Sequence, residues 1–315
     1  MPHKILVADG FHKELFKELT TVDGFDVHPE AKVSQDDLPT LLKDVEALVI
    51  RSATTVNKNL LEAATNLKLV IRAGEGTDNI DKALCESKSI AVENTPGANN
   101  NSAAEHAVAL MMSVLRHTPN ASSTMTNGGW DKSKFVGNEL WKKKVGIVGF
   151  GRIGQIVAKR ISGFEPETFF FDPFVSVSPS PDYTKVNDLE EIFKTCDIVT
   201  IHTPLLPQTK NLITKDLLEK MPKHAVLINA ARGGIVNEAD LISVLKEGKI
   251  KAAGVDVFEQ EPTTEDNELR KLSNVVCTPH LGASTEEAQL RVGEMVIHQL
   301  KEFFNNNNVV NAVKA

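Results

Sequence analysis

Three successive apolar runs in the second half of the chain each lead into a side chain capable of chemistry: 225–229 into Arg232, 252–257 into Glu261, and 275–278 into His280. Oxidation of a 2-hydroxy acid needs a base for the hydroxyl proton, a cation for the carboxylate, and a hydride acceptor held against C2. The residue types match those tasks. An imidazole exchanges protons near neutral pH, and a guanidinium offers a planar fork to a carboxylate. A carboxylate on the second ring nitrogen would fix the tautomer and stabilise the charged imidazole. Singly, Arg232 reads as a surface cation, His280 as a structural imidazole, and Glu261 as a turn residue before Pro262. Placed at the ends of parallel strands, which line the ligand crevice of a doubly wound sheet, they are expected to converge as catalytic residues.

Upstream, an apolar strand at 144–148 runs into Gly149-x-Gly151-x-x-Gly154 and then into the start of a helix. In such a turn Gly149 permits the tight bend, Gly151 admits a pyrophosphate close to the backbone, and Gly154 lets the helix lie against the strand. The helix start supplies free N–H groups and partial positive charge. The next strand ends in Asp172, 18 residues beyond Gly154, near the spacing expected of a carboxylate that binds ribose hydroxyls. An acid there repels a 2′-phosphate, so NAD is the expected cofactor. A turn residue before Pro173 is the plainer alternative for Asp172.

Short runs rich in Val and Ile position these residues: 5–8, 47–50, 69–71, 90–92, 145–148, 169–171, 198–201, 226–228, 252–257 and 275–277. Strands apolar on both faces with helices between them indicate parallel sheets covered on both sides. The expected fold class is α/β, with two doubly wound parallel-sheet domains. A helix from about Ser102, with Glu105 completing a capping box, is expected to carry the chain between them. After a last helix at 286–304 and the polar run 305–308, residues 309–315 are expected to return to the first domain. The first domain would comprise 1–99 and 291–315, with 100–290 inserted.

The 315 residues and 41% hydrophobic content suffice for two cores. A net charge of −7 without like-charge blocks argues against a nucleic-acid surface or a polybasic membrane patch. Cys85, Cys196 and Cys277 lack metal or disulfide spacing and read as reduced thiols. His106, His117, His202, His224 and His298 also lack metal-ligand spacing and read as structural, so no metal is expected. No leader pattern precedes the first strand and no run is long enough to span a membrane, so a cytoplasmic protein is expected.

The blocks Gly149-Phe-Gly-Arg-Ile-Gly154, Asn229-Ala-Ala-Arg-Gly-Gly-Ile-Val-Asn-Glu238, Val255-Asp-Val-Phe-Glu-Gln-Glu-Pro262 and Pro279-His-Leu-Gly-Ala-Ser-Thr285 resemble the signatures of the D-isomer-specific 2-hydroxyacid dehydrogenases. The resemblance implies a Rossmann NAD-binding domain inserted into a flavodoxin-like substrate domain. It implies the catalytic roles of Arg232, Glu261 and His280. It adds cofactor contacts at Arg152, Ile153, Asp172, Thr203, Ala230, Ala231, Asp256, Gly282 and Ala283, and places Glu75 near the cofactor. It also implies a homodimer formed through the cofactor domain, or a homotetramer.

Within that family, Ile71-Arg-Ala-Gly-Glu-Gly-Thr-Asp-Asn-Ile-Asp81, Asn94-Thr-Pro-Gly-Ala-Asn99, Ser102-Ala-Ala-Glu105 and His202-Thr-Pro-Leu-Leu-Pro207 are similar to the phosphoglycerate dehydrogenase branch. By that similarity Arg51 and Ser52 would contact a substrate phosphate, Gly74 and Asn99 would line the substrate, and Lys132 would reach a partner subunit's site. Glu75 departs from the small or apolar residue usual at its place, and a carboxylate beside a pyrophosphate should repel it unless turned away. Longer members continue into a serine-binding regulatory domain, so feedback inhibition of that kind is not expected here. The alternatives are a glyoxylate or hydroxypyruvate reductase with a less cationic pocket, and an NAD-sensing corepressor-like binding protein.

Overall fold

The computed structural model of the protein describes residues 1–28 and 33–314, so Ala315 of the expected return segment lies outside the described residues. The chain divides into two compact units, Met1–Asn99 with Ala283–Ala315, and Asn100–Gly282.

The first unit is built on β1 (His3–Val7), β2 (Phe25–His28), β3 (Ala47–Ile50), β4 (Leu69–Arg72) and β5 (Ala91–Asn94), in the order β2-β1-β3-β4-β5. Every pairing is parallel. Successive side chains on a strand point to opposite faces, and here both faces are covered. Ile5, Val7, Ala47 and Val49 pack with Leu15, Leu19, Val296 and Leu300. Leu6, Leu48 and Ile50 pack on the other side with Leu38, Leu60 and Leu61. The long helix Glu286–Asn306, capped by the Thr285 hydroxyl on Ala288 N–H, contributes the first of these layers. After it the chain pairs with the β5 edge: Val313 N–H donates to Val92 O at 2.8 Å, and Ala312 bridges Glu93 antiparallel.

The second unit holds β6 (Lys144–Val148), β7 (Glu167–Phe171), β8 (Tyr183–Lys185), β9 (Ile198–Ile201), β10 (Val226–Asn229), β11 (Ala252–Val255) and β12 (Val275–Cys277). Their order is β12-β11-β10-β9-β6-β7-β8, all parallel. The order reverses at the β6/β9 pair, the switch point at which open α/β sheets bind ligands beyond the strands' carboxyl ends. Helix Asn100–Arg116 lies against this sheet, where Gly254 admits it: a Cβ there would stand 3.3 Å from Val114 Cγ2.

Two expectations shift. The interdomain helix begins at Asn100, so Ser102 sits buried inside its first turn rather than capping it, and Glu105 pairs with Arg160. The second crossing falls between Gly282 and Ala283, ahead of residue 291, because Glu286–Asn306 is one unbroken helix. No helix among the described residues is long and apolar enough to cross a membrane.

Candidate active site

Strands β10, β11 and β12 are neighbours with the same direction, so the loops leaving them emerge on one edge of the sheet. Those loops carry Arg232, Glu261 and His280. The structure brings two of the three into direct contact: His280 Nδ1 lies 2.6 Å from Glu261 Oε2. The other carboxylate oxygen, Oε1, accepts from Phe258 N–H at 3.0 Å, which fixes the carboxylate plane. Burial pushes the Glu261 carboxyl up, but the bonds from His280 and Phe258 outweigh it and hold the group below the ordinary glutamate range. An ionised acceptor on Nδ1 requires the proton there, leaving Nε2 to exchange protons. Glu261 and His280 are each about one-third exposed, so the pair is reachable.

His280 adopts a left-handed backbone, φ 54°. For a non-glycine residue such a conformation costs on the order of 1–3 kcal/mol and persists only where the surroundings over-determine it. Here Asp256, one residue past β11, supplies the restraint. Its carbonyl accepts from His280 N–H at 2.9 Å, its Oδ1 from Leu281 N–H at 2.7 Å and from the Thr278 hydroxyl at 2.6 Å, and its Oδ2 from Gly282 N–H at 2.9 Å. Asp256 is fully buried. Burial alone would raise its pKa, but bonds from His106, Thr278 and Leu281 hold it lowered. Asp256, which the resemblance implies as a cofactor contact, holds with its carboxylate the turn on which His280 is mounted.

Arg232 lies in the turn after β10, where Asn229 Nδ2 donates to Arg232 O at 3.1 Å and Ala231 N–H donates to Asn229 Oδ1 at 3.2 Å. Its Nη1 donates to Ala231 O at 2.7 Å. Gly233 follows because a Cβ there would stand 1.8 Å from Phe258 O: the Arg232 turn and the segment leading to Glu261 touch through backbone.

On the same edge, the β6 loop has the form its glycines require. Gly149 has φ 88°, and a Cβ would meet His202 O at 2.7 Å; a Cβ on Gly154 would meet Gly149 O at 2.2 Å. Gly151 faces open space and caps helix Arg152–Ile161 with no side chain, so the N–H groups of Arg152 and Ile153 point outward from a helix start. Asp172, just past β7, accepts from Phe150 N–H at 2.7 Å on Oδ2 and from Phe174 N–H at 2.8 Å on Oδ1. It is thus the turn residue of the plainer reading, and each oxygen keeps a lone pair for a hydroxyl. Thr203, past β9, has a buried hydroxyl with no partner among the described residues. A glycine cradle without obstruction, an oriented carboxylate and an orphaned hydroxyl fit a dinucleotide.

The loops of the first unit hold the other expected residues. Arg51 leaves β3 with its N–H donated to Asp9 Oδ2 at 2.5 Å, while Thr54 gives Asp9 its N–H at 3.2 Å and its hydroxyl at 3.0 Å. Asn79 Nδ2 donates to Arg51 O and Thr54 O, at 2.7 and 2.6 Å. Burial lowers the Arg51 pKa and Asp9 opposes that, and a guanidinium stays charged regardless. Ser52 is exposed. Past β4, Gly74 has φ 155° and accepts Thr95 N–H; past β5, Asn99 has a buried Oδ1 without a partner among the described residues. Glu75 answers the question its charge raised: its Oε2 receives Gly97 N–H at 3.3 Å and its carbonyl receives Asn94 Nδ2 at 2.7 Å, tying two loops of this unit together. Lys132 opens an exposed 3-10 turn, and Ala283 begins the return into the first unit. Sequence reasoning missed Asp9, Thr54, Asn79, Thr278 and the contact of His106 with Thr278 and Asp256, since none has a spacing that marks it. Among the described residues no His, Cys, Asp and Glu side chains gather as a metal site would require.

Comparison with known proteins follows the same lines. Residues 108–282 match the family described as D-isomer specific 2-hydroxyacid dehydrogenase, NAD binding domain. The chain is 41% identical over 313 residues to the D-3-phosphoglycerate dehydrogenase of Methanocaldococcus jannaschii, covering 98% of this chain and 59% of that protein. It is 39% identical over 300 residues to the hydroxypyruvate reductase of Thermotoga maritima, covering 95% of this chain and 97% of that one. Among solved structures it resembles the NAD-dependent formate dehydrogenase from Staphylococcus aureus in complex with NAD, with a TM-score of 0.89, 30% identity and 99% of each chain covered. The chain therefore spans about three fifths of the length of the phosphoglycerate dehydrogenase it matches.

Proposed function

The chain belongs to the D-isomer-specific 2-hydroxyacid dehydrogenases, and from that membership we propose that it oxidises 3-phospho-D-glycerate to 3-phosphohydroxypyruvate with NAD, the entry reaction of L-serine synthesis. The observation that carries the chemistry is the 2.6 Å contact of His280 with Glu261 at the edge where the glycine loop also emerges. His280 Nε2 accepts the C2 hydroxyl proton, and Glu261 offsets the positive charge that the ring acquires. Arg232 grips the carboxylate and polarises the forming carbonyl. NAD, when bound, supplies the acceptor for the C2 hydride. Gly149, Gly151, Gly154, Arg152 and Ile153 would hold its pyrophosphate, and Asp172 its ribose. Thr203, Ala230, Ala231, Gly282 and Ala283 are proposed as further cofactor contacts.

For the substrate, the half-buried guanidinium of Arg51, anchored through its backbone to Asp9, supports a phosphate, and Ser52, Gly74 and Asn99 are proposed as further substrate contacts. The second reading, a hydroxypyruvate reductase, is favoured by the 39% identity over 300 residues to the Thermotoga maritima protein. A homodimer is also proposed. Its support is Trp130, Val136 and Met125, exposed by 83%, 76% and 52% along a segment whose helix Thr118–Thr126 buries none of its residues. Lys132 lies in that segment. Light scattering tests it: a monomer at micromolar concentration would overturn the dimer. The family and fold support a cytoplasmic enzyme.

The deciding assay mixes the chain with NAD and 3-phosphoglycerate at alkaline pH and follows NADH absorbance, with D-glycerate, D-lactate, 2-hydroxyglutarate and NADP as controls. Turnover of 3-phosphoglycerate that vanishes in His280→Ala and weakens in Arg51→Ala supports the reading. Preference for an unphosphorylated acid keeps the mechanism and replaces the substrate. NAD binding without turnover of any acid points to a sensor.

A further inference from the structure

His106 lies on helix Asn100–Arg116 and is 18% exposed, with its ring against the fully buried Asp256. Its Nε2 stands 3.0 Å from Thr278 Oγ1 and 3.1 Å from Asp256 Oδ1. Thr278 has one hydroxyl hydrogen, and it is directed to Asp256 Oδ1 at 2.6 Å. Toward His106 the threonine oxygen can therefore only accept, and the ionised aspartate only accepts as well. Both neighbours of Nε2 being acceptors, the ring carries its proton there, and His106 is a donor in either ionisation state.

We propose that His106 is a positioning residue for His280, an imidazole donor that completes the set of hydrogen bonds on Asp256 and Thr278 and so holds the turn on which the base is mounted. The inference rests on His280 being the base of the reaction proposed above. Asp256 must keep both oxygens as acceptors, because Leu281 and Gly282 donate to one each. With one donor fewer, the carboxylate and the Thr278 hydroxyl lose the restraint on their helix side, and the carboxylate can shift away from the N–H groups of Leu281 and Gly282. The turn 278–282 then relaxes from the left-handed conformation of His280, and the imidazole leaves its alignment with Glu261. His106 touches no reacting atom in this scheme; it acts through the turn.

Three variants test it. His106→Gln carries an amide N–H at nearly the reach of Nε2; His106→Asn carries the same group one methylene short; His106→Leu has none. For Asn and Leu, kcat should fall about 10- to 100-fold, the scale of a small misplacement of a catalytic group. The low-field Nδ1–H proton resonance of His280, read in the full chain without substrate, should broaden or vanish. His106→Gln should restore both the rate and the resonance. Equal behaviour of Asn and Gln in the resonance overturns the proposal, and this pair decides the matter even if the leucine variant fails to fold. If the parent turns over no acid, the proposed function fails, while the resonance comparison still shows whether His106 positions the imidazole.

Discussion

The turn after β3 and the turn after β12 are built on one device and put to different use. In the first, Asp9, past β1, receives Arg51 N–H, Thr54 N–H and the Thr54 hydroxyl from the neighbouring strand's loop. In the second, Asp256, past β11, receives Leu281 N–H, Gly282 N–H and the Thr278 hydroxyl from its neighbour's loop. Both aspartates are buried. The difference lies in what is added. The β3 turn presents a fixed cation and is further tied through its backbone, by Asn79 on the Arg51 and Thr54 carbonyls and by Gln35 on Thr55. The β12 turn presents a ring that must exchange a proton, and it adds Glu261 on the ring and His106 on the clamp. Placing a charge requires a held backbone; placing a proton also requires a held tautomer and a held ring.

The sharpest test of that contrast is to remove the groups the turns present. His280→Ala should lower kcat by about 10²–10⁴ with substrate KM little changed, since a general base acts in the transition state. Steady-state kinetics at alkaline pH checks this. Arg51→Ala should instead raise KM for a phosphorylated acid by about 10- to 100-fold, the scale of a charge-assisted contact worth roughly 1.5–3 kcal/mol, leaving KM for D-glycerate nearly unmoved. A third pair exchanges the clamps. Asp256→Asn should cost about tenfold or more in kcat, and Asp9→Asn a few-fold in KM alone, on the expectation that a base tolerates less displacement than a cation. Equal kcat losses in the two would break the comparison.

The smallest expected effect is on stability against pH. Asp256 and Glu261 have folded-state pKa values below their ordinary 3.8 and 4.5, so the stability they contribute is present above those values and is lost as pH falls through the folded ones. Glu93 runs the other way. It is fully buried, its Oε1 accepts Val310 N–H at 2.6 Å, its Oε2 has no partner among the described residues, and burial raises its pKa above 4.5. Its protonated form is therefore favoured by folding, and stability is lost as pH rises through that raised value. Thermal melts should show Glu93→Gln gaining on the parent above pH 4.5 and Asp256→Asn losing most there. Parallel melting curves for the two variants would refute the assignment.

The central strands were legible because burial on both faces writes a continuous apolar run, as at 47–50 and 198–201. β2 and β8 were not: each is a sheet edge, and Phe-Asp-Val-His and Tyr-Thr-Lys are partly exposed and carry polar residues. The side chains that carry chemistry were legible for a related reason, since a strand end followed by Arg, Glu or His has few other patterns to hide in. Asp9, Asn79, Thr278 and His106 stayed hidden because they act through turns, and their partners lie tens of residues away or more. His106 and Thr278 are 172 residues apart. Glu75 shows what position alone leaves open: its charge suggested repulsion of a pyrophosphate unless the side chain had another task, and its carboxylate receives the Gly97 N–H.

The interruption of the first unit by the second has a consequence for how the chain is made. Residues 1–99 leave the ribosome without Val292, Val296, Ile297 and Leu300, which complete one layer of their core, and without the segment that covers β5. Residues 100–282 are contiguous and contain all seven strands of their own sheet. During synthesis at roughly 5–20 residues per second, the part of the protein that begins second is therefore able to finish first, and the opening segment waits, partly uncovered, for the last helix to arrive.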